Sequence, residues 1–168
     1  MSTSEHKKTA PARVSVAVIS VSTTRTLETD KSGHWIAKRA KKEGHTVVHH
    51  QVIPDDAAAI SAAVLAVIRE RSPQAILLTG GTGISPKDVT IEAVRSLFKK
   101  ELTAFGPIFA QLSFEEIDSA AMLSRAAAGI IGNTVVFCMP GSLGGCKLAC
   151  KALIFPELGH IVRHLDES

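Results

Sequence analysis

The residues with chemistry in them are Thr79-Gly80-Gly81-Thr82-Gly83 and, beyond Ile84-Ser85-Pro86-Lys87, the carboxylate of Asp88. Glycines leave backbone N–H groups uncovered and threonines add hydroxyl donors, so the run is in outline a cradle for phosphate or another oxyanion. The competing reading is a tight turn between a strand and a helix, with glycine needed only for its backbone angles. Asp88 favours the first, because a carboxylate beside phosphates commonly shares a magnesium ion with them. Two familiar nucleotide motifs are excluded. A Walker loop needs Lys directly after its last glycine, where this chain has Ile84, and the dinucleotide fingerprint needs a third glycine where it has Pro86.

Apolar and polar periodicity shows what must hold this stretch. Ala75 to Leu78 is strand-length and apolar, and Ile91 to Phe98, continuing to about Lys100, has helical spacing. Upstream, Val14 to Val21 reads as a β-branched strand and Thr46 to Ile53 as a second. Between them a helix runs from about Gly33 to Lys42, capped by Ser32 or Asp30. An alanine-rich helix with Ile60, Val64, Val67 and Ile68 as its apolar stripe follows Asp56, which reads as its cap. Residues from Ala104 to Ile117 suggest short helices. Ile130-Ile131, Gly132-Asn133 and Thr134 to Met139 form a hairpin, and a last helix spans about Leu143 to Leu158. Strands alternating with helices predict an α/β fold of three layers: a mostly parallel sheet, helices on both faces and a short antiparallel hairpin near one edge. Ligands bind such sheets at the carboxyl ends of the strands. Here those ends are Ser22-Thr23-Thr24-Arg25, Pro54-Asp55-Asp56, Thr79 to Gly83, and Pro140-Gly141-Ser142, all polar or glycine-bearing.

Composition narrows the function classes. With 168 residues, 45% apolar and 21% charged, the chain fits one globular domain, read as residues 13–168 behind a flexible tail at 1–12. One Trp, six Phe and no Tyr leave little for stacking on nucleic acid bases, and a net charge of +3 spread along the chain is no nucleic-acid footprint. No apolar run approaches membrane-spanning length, and the three cysteines, an odd number, read as free thiols in the cytoplasm. Cys146 and Cys150 share a helix face and read as packing. His160 and His164 stand four apart but without the adjacent Glu of a zinc protease motif, so they read as solvated or partner-facing. His45, His49 and His50 lie along a strand with alternating facing and form no obvious metal set. Arg125 could reach a phosphate or tie the chain locally.

Several of these segments together resemble one family. Leu78 to Gly83 with Asp88, Phe105-Gly106, Leu112 to Ile117, Leu123-Ser124-Arg125-Ala126 and Met139-Pro140-Gly141-Ser142, in that order, are similar to the MoaB and MogA family of molybdenum cofactor biosynthesis proteins. The resemblance covers about Arg13 to Leu158, and Ser113-Phe114-Glu115-Glu116-Ile117 is closer to the MoaB branch. It implies Mg²⁺-dependent transfer of AMP from ATP to molybdopterin, giving adenylylated molybdopterin and pyrophosphate. In that scheme Asp55 and Asp88 are the essential acidic pair and hold Mg²⁺ through ATP. Thr79, Gly80, Gly81, Thr82 and Gly83 contact phosphate. Ser124, Asn133 and Ser142 line the pterin side, Asn133 offering an amide where relatives offer a hydroxyl, and Arg125, Pro140 and Gly141 join the substrate-binding set. Lys87 or Arg25 would serve the non-bridging oxygens. The resemblance also implies a homo-oligomer, trimer or hexamer, and partners in the same pathway; the apolar positions between Ala104 and Leu123 read as its contacts, and composition points to no nucleic acid or membrane partner. The alternative is a protein that binds molybdopterin, or scaffolds the pathway, without turnover; the presence of both Asp55 and Asp88 favours the enzyme.

Overall fold

A computed structural model describes Pro11 and residues 13–166; the expected tail, Pro11 apart, lies outside the described residues. The elements in chain order are β1 (Ser15–Val21), α1 (Lys31–Lys42), β2 (Thr46–Ile53), α2 (Ala57–Arg71), β3 (Ala75–Thr79), α3 (Thr90–Arg95), β4 (Lys100–Glu101), α4 (Phe105–Ile117), a 3₁₀ segment (Asp118–Leu123), β5 (Ala127–Ile131), β6 (Thr134–Met139), α5 (Leu143–Leu148), a π-helical turn (Ala149–Ile154) and α6 (Phe155–Asp166). They form the expected α/β architecture around one six-stranded sheet of order β2-β1-β3-β6-β5-β4. β2, β1, β3 and β6 pair in parallel, and β5 runs against both of its neighbours.

Alternation along the inner strands sorts side chains into two cores. Val16, Val18, Leu77, Val135 and Phe137 face α1, α4, α5 and α6, and with Ile36, Phe109, Ile154, Leu158 and Val162 they make one layer. Ala17, Ile19, Ile76, Leu78 and Val136 face the other way and pack on Ile60, Val64 and Val67 of α2 and on Ile91 and Val94 of α3. A strand covered on both faces has no polar side to show, which is why β1, β3 and β6 read as near-continuous apolar runs.

Three boundaries differ from the sequence reading in ways that change the architecture. The helix expected to run to Lys100 stops at Arg95, and the chain turns to pair with β5: the Lys99 amide donates to the Ile130 carbonyl at 2.8 Å and the Leu102 amide to the Ala128 carbonyl at 2.7 Å. This two-residue strand closes the sheet edge beyond the hairpin, so β6 lies inside the sheet and β4 at its rim. The segment from Ala104 is one 13-residue helix that tightens into a 3₁₀ segment, not several short helices. The last helix continues past Leu158 to Asp166, passing through a π-helical turn.

Helix α1 is fixed to the sheet by its cap. Asp30, fully buried, receives the Gly33 amide at 2.9 Å and the Ser20 hydroxyl at 2.5 Å, with His50 Nε2 of β2 at 2.9 Å. Burial works to raise the carboxyl of Asp30, but the hydrogen bonds from Ser20, Gly33 and His50 outweigh it and hold the group below its ordinary 3.8. A carboxyl depressed on folding contributes stability that is complete above its unfolded value and is lost as pH falls through the folded one. Asp30→Asn is therefore expected to destabilise the protein by about 2 kcal/mol at neutral pH. That deficit should shrink below about pH 4, as measured by denaturant unfolding of both proteins across the acid range.

Candidate functional site

Strand order reverses at β1, since the chain crosses from β1 to β2 on one side and returns to β3 on the other. At such a switch point the loops leaving the strand ends diverge and open a crevice. A cleft of about 390 Å³ lies there, lined by Ser22, Thr24 and Arg25 after β1, Gly80 to Gly83 and Asp88 after β3, Leu123 and Ser124 before β5, and Pro140 to Ser142 after β6.

The floor of this cleft is backbone, and its direction is set from behind. Gly80 and Gly81 have φ of +100° and +65°, and a side chain at Gly80 would begin 2.3 Å from the Val21 carbonyl. Thr90 donates its hydroxyl to the Gly80 carbonyl at 2.8 Å and its amide to the Gly81 carbonyl at 3.0 Å. Arg125 Nε donates to the Thr82 and Gly83 carbonyls at 3.0 and 3.1 Å. Across a trans peptide the carbonyl and the following N–H point opposite ways. The amides of Gly81, Thr82, Gly83 and Ile84 are therefore turned away from Thr90 and Arg125. Among the described residues no protein acceptor meets those of Gly81, Thr82 and Gly83. Successive unpartnered N–H groups of this kind form an anion nest.

The loop after β6 is built by the same logic. The Pro140 carbonyl accepts the Thr79 hydroxyl at 2.9 Å and the Cys146 thiol at 3.2 Å, and the Gly141 carbonyl accepts the Ser32 hydroxyl at 2.9 Å. The two loops touch backbone to backbone, for a Cβ on Gly141 would sit 3.1 Å from Gly80 Cα. Ser142 caps α5, receiving the Gly145 amide at 3.1 Å. The thiols beneath are buried and free, and burial pushes Cys138 up to about 12 and raises Cys146 and Cys150, which makes them packing groups with no nucleophilic character.

Two carboxylates stand at the rim. Asp56 caps α2 by accepting the Ala59 amide at 2.8 Å, which leaves the neighbouring Asp55 for the cleft side. Asp55 Oδ2 takes the amide and hydroxyl of Thr23, both at 2.7 Å, and Oδ1 faces Gly81. Asp88 does not cap α3, whose cap position is Val89. It accepts the Ser85 amide at 2.8 Å and lies against Gly83, where a Cβ would be 2.8 Å from its Oδ2. Arg25 brings a positive charge to the lining; Lys87 is exposed and outside it.

Of the residues singled out from sequence, Gly80, Gly81, Thr82, Gly83, Asp88, Ser124, Pro140, Gly141 and Ser142 line one cleft, and Asp55 borders it at Gly81. Three are placed elsewhere. Thr79 is buried and its hydroxyl braces Pro140 instead of facing the cleft. Arg125 stands behind the glycine loop, paired with Glu92 through Nη1 at 2.5 Å, and its contacts tie the loop from the back; the hydrogen bond to Glu92 holds the Glu92 carboxyl low and the Arg125 guanidinium high. Asn133 lies in the β5–β6 turn beside Pro73 and Gln74, at the amino end of the sheet and a full strand length from the cleft. Thr23, Ser32, Thr90 and Glu92 carry weight that the sequence reading missed, since their partners are 10 to 109 residues away in sequence.

With this geometry in view, comparison with known proteins is direct. Residues 17–160 match the family described as a probable molybdopterin binding domain, and the chain belongs to it. The particular relatives are molybdenum cofactor biosynthesis proteins. Protein B of Bacillus anthracis is 49% identical over 169 residues, with 100% of both chains covered, and that of Bacillus subtilis is 49% identical, covering 100% of this chain and 99% of the relative. The crystal structure of a molybdenum cofactor biosynthesis protein B superposes with a TM-score of 0.91 at 47% identity, covering 95% of this chain and 99% of that one. The tungsten cofactor synthesizing protein MoaB of Pyrococcus furiosus gives 0.84 at 36% identity, covering 93% and 99%.

Replacing Arg125 by Met keeps the stem and removes the donors. Hydrogen exchange read by mass spectrometry is expected to speed up in peptides spanning 82–88 and to stay unchanged in β1 and β3. Equal exchange in the loop would mean that Arg125 does not hold it.

Proposed function

We propose that the chain is a magnesium-dependent molybdopterin adenylyltransferase acting in the cytoplasm. The observation that carries this reading is an amide-lined anion cradle with one carboxylate on either side. A phosphate oxygen of molybdopterin attacks the α-phosphorus of ATP, the bond to the β-phosphate oxygen breaks, and pyrophosphate leaves. Both reactants are anions, so charge neutralisation and alignment supply most of the acceleration. The amides of Gly81 to Ile84 hold non-bridging oxygens without having to reorient, because Thr90 and Arg125 already fix them. Arg25 adds charge at the open side of the cleft.

The donor set fits magnesium. Among the described residues no three metal-binding side chains gather, which suits an ion that takes one or two carboxylates and draws its other oxygens from substrate phosphate and water. Asp55 and Asp88 would hold it, each anchored by one oxygen and each outside the amide floor. Such an ion would neutralise the phosphates and bring the reacting groups into line.

The same reading takes the protein as a homo-oligomer, trimer or hexamer. Ile108, Phe114, Ile117, Met122 and Leu123 expose large apolar side chains along α4 and the 3₁₀ segment, in the region expected for contacts. Leu123 also lines the cleft, so a copy seated on this strip would border the site. The names of the relatives support cofactor maturation for either molybdenum or tungsten.

Purified protein incubated with molybdopterin, ATP and Mg²⁺ is expected to release pyrophosphate and form adenylylated molybdopterin, followed by mass spectrometry. Asp88→Asn and Asp55→Asn should each lower that rate by about 10² or more while retaining pterin affinity. Tight pterin binding with no adenylylated product in the wild type would replace the enzyme by a carrier.

A further inference from the structure

The proposed cleft leaves α6 unexplained, and this helix carries an arrangement of nitrogens unlike a merely solvated surface. His160 and His164 are one helical turn apart, and their Nε2 atoms converge to 3.1 Å with the rings tilted at 48°. Glu157, one turn earlier, places Oε2 3.1 Å from His160 Nδ1. A carboxylate at Nδ1 takes the ring proton there and leaves Nε2 with its lone pair. That is the outer partner commonly seen behind a metal-ligating histidine. From sequence the pair reads as solvated or partner-facing, with no Glu adjacent to His160; the structure supplies a carboxylate three residues ahead, acting on the ring instead of on a water.

We propose that His160 and His164 form a two-histidine site for a divalent first-row transition ion of the nickel, copper and zinc class. Imidazole nitrogens bind such ions at about 2.0–2.1 Å, and arms of that length spanning 3.1 Å subtend about 98°. The angle falls between the 90° of square or octahedral coordination and the tetrahedral value, so the spacing of the two nitrogens suits an ion once the rings turn their lone pairs from each other toward it. His164 shifts its proton to Nδ1 as the ion replaces the N–H···N contact. Among the described residues no third metal-binding side chain gathers with these two. Imidazole selects borderline metals over magnesium, which prefers oxygen. The His160 side chain is 18% exposed and His164 more so.

This site is separate from the cleft. Helical chain runs from Leu143 to Asp166, and Asp166 reaches the amino end of the sheet beside Asn133. His160 stands roughly 25 Å along that path from Ser142.

Full-length protein stripped by chelator is titrated with Ni²⁺ by calorimetry, with Mg²⁺ run in parallel, and a Cu²⁺-loaded sample is read by electron paramagnetic resonance. One Ni²⁺ per chain is expected, with two nitrogens on copper and no matching Mg²⁺ heat. His160→Gln and His164→Gln should each weaken Ni²⁺ binding roughly tenfold or more, and Glu157→Gln should weaken it by a smaller factor. Ni²⁺ should raise the melting temperature of the wild type and not that of either histidine variant. Absence of Ni²⁺ binding in the wild type, or unchanged affinity in both folded histidine variants, would overturn the site.

Discussion

The structure depends on where a few backbone carbonyls find their donors. A loop at the end of a parallel strand cannot continue the ladder, so its peptide groups must be satisfied by side chains or left to solvent. Here one side of the loop is satisfied and the other is not. Thr90 and Arg125 take the carbonyls of Gly80 to Gly83, and Thr79, Cys146 and Ser32 take those of Pro140 and Gly141. The consequence is a row of amide donors facing one volume. An anion site follows from peptide planarity once the back is tied.

The rest of the fold serves that arrangement. β1, β3 and β6 are buried on both faces, so their ends hold fixed positions, and the reversal of strand order at β1 spreads the loops apart. The Asp30 cap ties α1 to β1 and β2, which positions Ser32 against the Gly141 carbonyl. Asp55 is placed by Thr23, 32 residues away in sequence, and Asp88 by Ser85 of its own loop, with Arg125 holding the Asp88 carbonyl as well as those of the floor.

Much of this was legible in the sequence. Apolar runs bounded by glycine or proline gave the parallel strands, because burial on both faces leaves a simple signature. The strand ends gave most of the cleft, because topology dictates where such ends meet. What escaped was everything that depends on long-range pairing. β4 is two residues long and is a strand only because β5 lies alongside. Thr79 sat in the motif but faces inward, since side-chain direction at the last strand residue follows sheet register, which no local pattern reveals. Asn133 stood at the wrong end of its strand: the chain enters β6 at Thr134 and reaches the cleft only at Met139. Arg125 reads from sequence either toward phosphate or as a local tie, and partners 33 to 43 residues away, Glu92, Gly83 and Thr82, turn it to the back of the loop.

The contact between Gly80 and Gly141 has a consequence for how the site would respond to its surroundings. Two glycines meeting backbone to backbone make a floor with no side chain to titrate, oxidise or change rotamer. Amide donors keep their hydrogens throughout the range in which the protein is folded, so the floor presents the same field in acid, in base and under oxidising conditions. Any pH profile of anion binding would then come from outside the floor, from the rim of the cleft or from the ligand itself.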